Sequence, residues 1–317
     1  MKLWLTRPLP PEVEARAEAE FDVDKRISTA PLSPDELRRA LTDYDIVMPT
    51  LGDRFQADVF ADVPAPRCRL LSNFGVGYNH IDVAAARAAG VAVTNTPGAV
   101  TDATADIAMT LILMTARRAG EGERMVRADA WEGWHPTQML GLHVTGRTLG
   151  IVGMGRIGQA IARRCHFGFG MEVRYVSRSD KALDFPATRC DTLTDLAASC
   201  DIVAVAVPGG AATHHLLGAG FFAAMQPHAI LVNIARGDVI DEAALVAALQ
   251  TGQIAGAGLD VYEFEPVVPQ ALKAMENVTL LPHLGTAALN VRTDMGMMVL
   301  DNVAAFVAGR ALPNPVG

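Results

Sequence analysis

Three separated stretches of the chain each place a reactive side chain directly after a predicted buried strand. Arg236 follows a strand predicted at 229–234. A group of acidic residues follows the strand at 255–261, and His283 follows the strand at 278–281. The carboxyl ends of parallel strands meet at one edge of a sheet, where ligands of such folds bind. We therefore expect these side chains to lie close together.

An arginine, a histidine and a carboxylate suit the reduction of a 2-keto acid. The guanidinium can bind the carboxylate and polarise the keto oxygen. The imidazole can donate a proton to the developing alkoxide, and a carboxylate against its other nitrogen favours the imidazolium. Each residue also has an ordinary explanation: a solvated surface arginine, a histidine satisfied in a core, a glutamate in a loop or cap. The residue types alone leave both explanations open.

The strongest binding motif is Gly153-Met154-Gly155-Arg156-Ile157-Gly158, which follows a predicted strand at 148–152 and opens a helix at 156–164. Its first glycine permits a tight turn and its second lets a pyrophosphate approach the backbone. The third lets the helix pack closely on the strand, and the helix N-terminus offers free N–H groups. A glycine-rich turn by itself is often only a turn, but the strand and helix around this one predict a dinucleotide site.

The end of the next strand indicates which dinucleotide is bound. NAD proteins usually place an acid about twenty residues after the glycines, where it accepts from the ribose hydroxyl. Here Ser177, Arg178 and Ser179 occupy that place, and Asp180 follows them. Two hydroxyls and a guanidinium suit a 2′-phosphate, so the sequence favours NADP(H) over NAD(H). The alternative is a polar strand end without a ligand.

These motifs lie in a chain where short β-rich runs alternate with Ala-rich helical stretches, which is typical of parallel sheets covered by helices. A long helix is predicted at about 101–127 and an irregular stretch at 129–147, before the alternation restarts at 148. Other predicted elements are strands Leu3–Thr6, Asp45–Pro49, Leu70–Phe74, Val91–Asn95 and Glu172–Ser177, and helices Pro11–Glu20, Pro34–Leu41, Val83–Ala89 and about Ala287–Ala308.

Composition narrows the function classes. The 317 residues suggest two domains, and the formal net charge of −8 argues against a nucleic-acid partner. Four cysteines without Cys-x-x-Cys spacing indicate a reducing compartment. The N-terminus lacks a secretory pattern and no apolar run reaches bilayer length, so we expect a cytoplasmic protein without a membrane partner. No histidine has partners at metal-ligand spacing, so we expect no metal.

From about residue 70 to 304 the chain resembles the D-isomer-specific 2-hydroxyacid dehydrogenases, and among them the NADP-dependent glyoxylate/hydroxypyruvate reductases. The resemblance is carried by several motifs in the expected order: Asn-Phe-Gly-Val-Gly-Tyr-Asn-His-Ile-Asp at 73–82, Asn-Thr-Pro-Gly at 95–98 with 101–106, the glycine loop, Ala-Arg-Gly-Asp at 235–238, Glu-Pro at 265–266 and Pro-His at 282–283.

The resemblance implies roles for individual residues. Arg236 binds the carboxylate and keto groups, and Glu265 pairs with His283, the acid/base. Glu263 also lies near this place, but only Glu265 precedes a proline as in the family. The substrate is expected to contact Leu51, Gly75, Val76, Gly77, Arg236 and His283. The cofactor is expected to contact Thr104, Gly153, Gly155, Arg156, Ile157, Gly158, Ser177, Arg178, Ser179, Val207, Pro208, Thr213, Ile234, Ala235, Asp260 and Gly285.

The resemblance also implies an architecture: two Rossmann-like α/β domains, each a doubly wound parallel sheet, with an active-site cleft between them. Residues 1–98 and 287–317 are expected to form a discontinuous substrate domain, and residues 99–286 the NADP-binding domain. The stretch 129–147 carries Trp131 and Trp134 and resembles the arm through which family members form homodimers; a surface loop is the alternative.

The expected reaction is NADPH-dependent reduction of glyoxylate or hydroxypyruvate to the D-2-hydroxy acid. Bulkier 2-keto acids such as phenylpyruvate stay open, because the side chains that size the pocket are not determined by the sequence. A phosphoglycerate dehydrogenase is a nearer alternative, although it commonly carries an additional regulatory domain. A non-catalytic, dinucleotide-sensing corepressor is the alternative from another class.

Overall fold

The computed structural model describes all residues from 1 to 317. The chain forms two compact units, one of Met1–Val100 with Ala287–Gly317 and the other of Thr101–Thr286. Each unit contains a parallel β-sheet with apolar side chains buried on both faces. The predicted fold class, α/β with two doubly wound parallel sheets, is therefore confirmed.

The first unit has a five-stranded sheet in the order β2-β1-β3-β4-β5. Alternate strand residues face opposite sides: Leu3 packs in one apolar cluster and Trp4 in the other. The strands are β1 (Lys2–Leu5), β2 (Asp22–Lys25), β3 (Ile46–Met48), β4 (Leu70–Ser72) and β5 (Ala92–Thr94). The helices are α1 (Pro11–Glu20), α2 (Pro34–Asp43), α3 (Ala57–Asp62), α4 (Val83–Ala88) and, from the end of the chain, α12 (Leu289–Val307).

The second unit has a seven-stranded sheet in the order β12-β11-β10-β9-β6-β7-β8. Its strands are β6 (Thr148–Val152), β7 (Glu172–Val176), β8 (Thr188–Arg189), β9 (Ile202–Val205), β10 (Ile230–Asn233), β11 (Gly256–Leu259) and β12 (Val278–Leu280). Its helices are α5 (Thr101–Ala116), α6 (Ala119–Arg127), α7 (Arg156–Phe169), α8 (Leu193–Ser199), α9 (Ala219–Ala224), α10 (Glu242–Gln250) and α11 (Gln270–Ala274), with a 3₁₀ turn at Gly237–Val239. β7 and β8 lie on one side of β6, and β9 to β12 lie on the other side. Such sheets bind ligands at this switch point, at the carboxyl ends of β6 and β9.

The last helix packs on the sheet of the first unit. Val299, Leu300 and Val303 of α12 share an apolar cluster with Leu3 and Leu70. The two ends of the chain therefore build one core, and the segment between them folds as the second unit.

The structure differs from the sequence-based expectation in several elements. The single helix expected at 101–127 is two helices, because Arg118 takes a left-handed conformation with φ of 52° and breaks the turn between α5 and α6. The strands β2 and β8 and the helix α3 were not predicted. Both strands are short and expose polar side chains, so they lack an apolar pattern. No helix is long and apolar enough to span a bilayer.

Candidate active site

The predicted reactive residues lie along one edge of the seven-stranded sheet. In strand order, His283 follows β12, Asp260 and Glu265 follow β11, and Arg236 follows β10. Further along the same edge come Val207 after β9, the glycine loop after β6 and Ser177 after β7. The sheet topology thus brings together the proposed proton chemistry and the proposed dinucleotide contacts within the second unit.

His283 and Glu265 form a direct pair. The Nδ1 atom of His283 lies 2.8 Å from Oε2 of Glu265, and both side chains keep about 30% exposure (30% and 29%). The other carboxylate oxygen accepts the backbone N–H of Tyr262 at 3.0 Å. Burial raises the pKa of Glu265, but the hydrogen bond and charge of His283 outweigh burial, with help from Tyr262 and Arg236, and hold that pKa below its ordinary value. Glu265 is therefore an ionised partner of His283. Because Glu265 contacts Nδ1, the Nε2 atom of His283 has no hydrogen-bond partner in the chain.

Asp260 fixes the turn that carries His283. Its Oδ1 accepts the N–H of Leu284 at 2.6 Å and its Oδ2 accepts the N–H of Gly285 at 2.8 Å, while its carbonyl accepts the N–H of His283. The hydroxyl of Thr104 donates to the carbonyl of Gly285 at 3.3 Å. His283 itself has a left-handed φ of 56°, a strained conformation for a side chain other than glycine. These four hydrogen bonds stabilise that conformation.

Arg236 presents its guanidinium with most donors unused. Nη1 donates to the carbonyl of Ala235 at 2.7 Å, and the remaining N–H groups make no hydrogen bond or ion pair within the chain. Burial lowers the pKa of Arg236, against the opposing charges of Glu265 and Asp238. The group stays cationic because an arginine pKa lies far above neutrality. A largely desolvated guanidinium with free donors is well suited to bind a carboxylate.

Buried Asn233 shapes the backbone on which Arg236 sits. Its amide donates to the carbonyl of Arg236 at 2.9 Å, and its oxygen accepts the N–H of Ala235 at 3.0 Å. Ile234 and Ala235 lie buried within this turn. The next residue, Gly237, has to be a glycine, because a Cβ there would stand 1.8 Å from the carbonyl carbon of Tyr262. The turn of Arg236 and the turn of Glu265 are therefore in backbone contact.

The glycine loop has the geometry that the sequence predicts. Gly153 has φ of 100°, and a Cβ there would meet Val207 at 2.7 Å. A Cβ on Gly158 would meet the carbonyl oxygen of Gly153 at 2.2 Å, so the helix packs directly on the turn. Around the Cβ position of Gly155, in contrast, no heavy atom lies within 4 Å. The N–H groups of residues 156–158 have no acceptor within the chain, so this helix N-terminus can bind an anion.

Polar and cationic groups surround the end of β7. Arg178 and Ser179 are exposed, Ser177 is half-buried, and Arg178 makes no ion pair. Asp180 is paired at 2.9 Å with Arg189 of the adjacent strand, whose other nitrogen donates to the carbonyl of Ser177. The one acid near this strand end is therefore already neutralised.

The loop after β9 is closed by Thr213, whose hydroxyl donates to the carbonyl of Pro208 at 2.7 Å. This hydrogen bond braces the Gly- and Ala-rich stretch between the two residues. Val207 and Pro208 lie at the strand end itself, beside the glycine loop. The exposed Arg156 begins the helix, and Ile157 packs at the edge of the apolar core.

The other predicted substrate residues lie together in the first unit. The carbonyls of Gly75 and Gly77 accept from the amide of Asn73, and the carbonyl of Val76 accepts from Asn95 at 2.8 Å. The N–H groups of Val76 and Gly77 make no hydrogen bond within the chain. Two consecutive N–H groups without an acceptor in the chain are available to bind an anion.

Leu51 lies at the tip of a neighbouring turn. Asp53 donates its N–H to the carbonyl of Thr50, and Gly52 takes φ of 99°, which leaves Leu51 exposed. Thr50 pairs with Phe74, so this turn adjoins the Gly75 loop.

Comparison with known proteins places this chain in a family. Residues 109–285 match the model of the "D-isomer specific 2-hydroxyacid dehydrogenase, NAD binding domain". The chain is 41% identical over 321 aligned residues to a glyoxylate reductase of Thermococcus gammatolerans. The alignment covers 99% of this chain and 95% of that protein. The chain belongs to the D-isomer-specific 2-hydroxyacid dehydrogenase family. The resemblance stated from the motifs is confirmed.

Solved structures of this family agree along the whole chain. An NADPH-dependent glyoxylate/hydroxypyruvate reductase from Sinorhizobium meliloti, in complex with NADP and malonate, has a TM-score of 0.86 and 36% identity, with coverage of 100% of this chain and 96% of that chain. A D-mandelate dehydrogenase from Rhodotorula graminis has a TM-score of 0.86 and 31% identity, with coverage of 100% and 97%. The protein is an oxidoreductase with a nicotinamide-dinucleotide-binding domain.

The residues of this dehydrogenase fit such a cofactor. The open space at Gly155 is the place where a pyrophosphate must approach the backbone, and the free N–H groups of residues 156–158 would hold it. No cluster of three or more His, Cys, Asp or Glu side chains is arranged to hold a metal ion.

Sequence reasoning missed residues that support the site without reacting. Asn233 and Tyr262 brace two of its turns, and Gly237 lets those turns touch. Asn233 directly precedes the Arg236 turn, and a polar residue buried at a strand end is a usable signal. The role of Gly237 depends on a contact with a turn 25 residues away in sequence, which no local pattern reveals.

Proposed function

We propose that this dehydrogenase reduces a small 2-keto acid of the glyoxylate or hydroxypyruvate type to the D-2-hydroxy acid, with NADPH as the reductant. The observation that carries the proposal is the His283–Glu265 pair at 2.8 Å, with the unused donors of Arg236 on the adjacent turn. The glyoxylate reductase of Thermococcus gammatolerans, similar over nearly the whole chain, supports the substrate class.

In the proposed mechanism, Arg236 binds the substrate carboxylate and polarises the keto oxygen through its unused donors. When bound, the reduced dinucleotide supplies a hydride to the carbonyl carbon. The alkoxide that develops takes a proton from Nε2 of His283, since Nδ1 is engaged with Glu265. Glu265 holds Nδ1 of His283 during the transfer, and His283 ends as neutral imidazole. The step consumes one hydride and one proton for each hydroxyl formed.

The NADPH preference rests on the end of β7. Arg178 is free, and hydroxyls stand on either side of it, while Asp180 is paired with Arg189. A 2′-phosphate can therefore bind a guanidinium there, whereas a free acid for the ribose hydroxyls of NAD is missing. The related reductase from Sinorhizobium meliloti, described as NADPH-dependent, supports this preference.

The test is a panel of 2-keto acids assayed with NADPH and with NADH. We expect glyoxylate and hydroxypyruvate to be reduced with NADPH, and His283→Ala to lose turnover by at least about 100-fold. Arg178→Ala should raise KM for NADPH and leave KM for NADH unchanged. Absence of turnover on every keto acid, despite tight NADPH binding, would favour a dinucleotide-sensing protein. A tenfold preference of the wild type for NADH would contradict the cofactor proposal.

A reductase of bulkier 2-keto acids is the second candidate. The D-mandelate dehydrogenase from Rhodotorula graminis, similar over the whole chain, favours it. Including phenylpyruvate in the panel decides between the two, since the preferred substrate is the one with the higher kcat/KM.

We also propose that the chain forms a homodimer through residues 129–147. Trp131 and Trp134 are 54% and 79% exposed, and Leu140 on the same stretch is 68% exposed. Large apolar side chains exposed on one segment are typical of interaction surfaces. Analytical ultracentrifugation should find a dimer, and the double variant Trp131→Ala, Trp134→Ala should sediment as a monomer. A wild-type monomer at micromolar concentration would contradict this assignment.

A further inference from the structure

His215 links two turns of the candidate site. Its backbone N–H donates at 2.8 Å to the carbonyl of Asp238, which lies two residues after Arg236. Its Nε2 lies 2.8 Å from Oε1 of Glu263, which lies two residues before Glu265. His215 therefore contacts the Arg236 turn through its backbone and the Glu265 turn through its side chain.

Glu263 needs a partner because it lies beside a second carboxylate. Its N–H is 3.4 Å from Oε1 of Glu242, which is 7% exposed. Burial raises the pKa of Glu242; the hydrogen bond from the backbone N–H of Glu263 opposes that rise, and the charge of the Glu263 carboxylate adds to it. The imidazole of His215 is the only side chain that donates a hydrogen bond to Glu263. Without His215, the Glu263 carboxylate would have no hydrogen bond to another side chain.

The charges around His215 favour its protonation. The hydrogen bond to Glu263 raises the pKa of His215, burial opposes that rise, and the charges of Glu263, Asp241 and Asp238 add to it. The ring of His214 stacks on it with centroids 4.0 Å apart. These are the groups that face His215, and the three carboxylates among them attract the imidazolium.

The turn that contains Glu263 sets the position of Glu265. At its start, the hydroxyl of Tyr262 donates to the carbonyl of Leu281 at 2.9 Å, and the N–H of Tyr262 donates to Oε1 of Glu265. We propose that His215, acting through Glu263, is a positioning residue that holds the Glu265 carboxylate against His283. The inference rests on the proposed function, in which His283 is the proton donor.

Two effects of removing the His215 side chain have opposite signs. Loss of a nearby positive charge would stabilise the His283 imidazolium, and so extend keto-acid reduction to higher pH. Loss of the hydrogen bond would let Glu265 move away from His283, and so end reduction at lower pH. The other charged groups near His283, Asp260 and Arg236, are unchanged in either case.

Two uncharged replacements separate these effects. His215 has a left-handed φ of 47°, which asparagine tolerates well, but the asparagine side chain is too short to reach Glu263. Glutamine is longer and can place an N–H group near the position of Nε2. His215→Asn and His215→Gln thus remove the same charge and differ in reach.

The experiment is the pH profile of kcat/KM for glyoxylate reduction with saturating NADPH. We expect His215→Asn to lower kcat by on the order of tenfold and to move the alkaline limb to lower pH, with little change in KM. We expect His215→Gln to keep most of the wild-type kcat and to place the alkaline limb close to its wild-type pH. The control is His228→Asn, which cuts a similar histidine–carboxylate pair with Asp201 at the opposite edge of the sheet and should leave the profile unchanged.

Glu263→Ala cuts the same link from the other side. Combined with His215→Asn it should add nothing further, because both remove one interaction. The proposal is overturned if the limb of His215→Asn stays in place or moves to higher pH, if the Asn and Gln variants behave alike, or if the double variant is additive. Retained turnover in His283→Ala would instead contradict the proposed function, and the His215 proposal with it.

Discussion

Replacing Glu265 with glutamine tests the proton chemistry directly. The substitution keeps an oxygen within reach of Nδ1 of His283 and removes the negative charge. A hydrogen bond to a charged group contributes about 1.5–3 kcal/mol, roughly twice a neutral one, so loss of the charge costs about 0.8–1.5 kcal/mol. Both side chains keep about 30% exposure (30% and 29%), which places the pair between a surface and a buried interaction.

That cost converts to a shift in the pH profile. At 1.36 kcal/mol per pH unit, the alkaline limb of keto-acid reduction should move down by about 0.6 to 1 unit. The direction is downward because the proposed mechanism takes its proton from His283, and the substitution removes the negative charge that faces Nδ1 of that ring. Above the limb the rate should fall by about 4- to 10-fold. The reverse reaction needs neutral His283, so it should stay active at lower pH than in the wild type.

The assay is the initial rate of NADPH oxidation with glyoxylate over the pH range, together with hydroxy-acid oxidation. Glu276→Gln is the control, since Glu276 pairs with Arg124 at the other edge of the sheet. The reasoning is refuted if the limb of Glu265→Gln coincides with that of the wild type while that variant remains folded. A limb that moves upward would show that Glu265 does not stabilise the imidazolium.

Three further substitutions test the supporting structure. Gly237→Ala should lower the free energy of unfolding by about 3 kcal/mol or more, because its Cβ would overlap the backbone of the next turn; Gly220→Ala, in open space, is the control in thermal unfolding. Asn233→Ala should cost about 2–3 kcal/mol and raise KM for the keto acid, because two buried backbone groups lose their partner; unchanged KM contradicts the bracing role. The Arg26 hydrogen bond lowers the pKa of Glu36 to about 2 from 4.5, so its contribution is present above pH 4.5 and lost as the pH falls toward 2. Glu36→Gln should make the melting temperature depend less steeply on pH over that interval. A variant whose melting temperature has the same pH dependence as the wild type would contradict the pairing of Glu36 with Arg26.

The sequence predicts the strands of both sheets well where they are apolar on both faces. The strand at 148–152 was predicted with its observed bounds, because it carries a buried apolar run that ends at a glycine turn. The edge strands Asp22–Lys25 and Thr188–Arg189 carry no such run, since their polar side chains face solvent. The break falls on Arg118 itself, whereas the nearby Gly120 and Gly122 lie inside α6, and so the two helices were expected as one.

The sequence predicts Arg236, Glu265 and His283 as candidates because each follows a strand within a few residues and has a distinctive type. The residues that hold them could not, because their contacts join turns that are distant along the chain. Asp260 was predicted as a cofactor contact, and the structure adds that both its oxygens hold the turn of His283. No role for His215 is predicted from sequence, since nothing in its neighbourhood along the chain points to Glu263.

The order of strands along the sheet edge also sets how far apart two kinds of specificity lie. His283 follows β12 and Ser177 follows β7, five strand intervals away, which is about 24 Å at the usual strand spacing. Residues that far apart without shared partners contribute independently to free energies. We therefore expect the proposed cofactor choice at Arg178 and the proposed proton chemistry at Glu265 to be separable traits. Substitutions at the Arg178 end of this edge would then change the preferred dinucleotide without changing the pH dependence set at the His283 end.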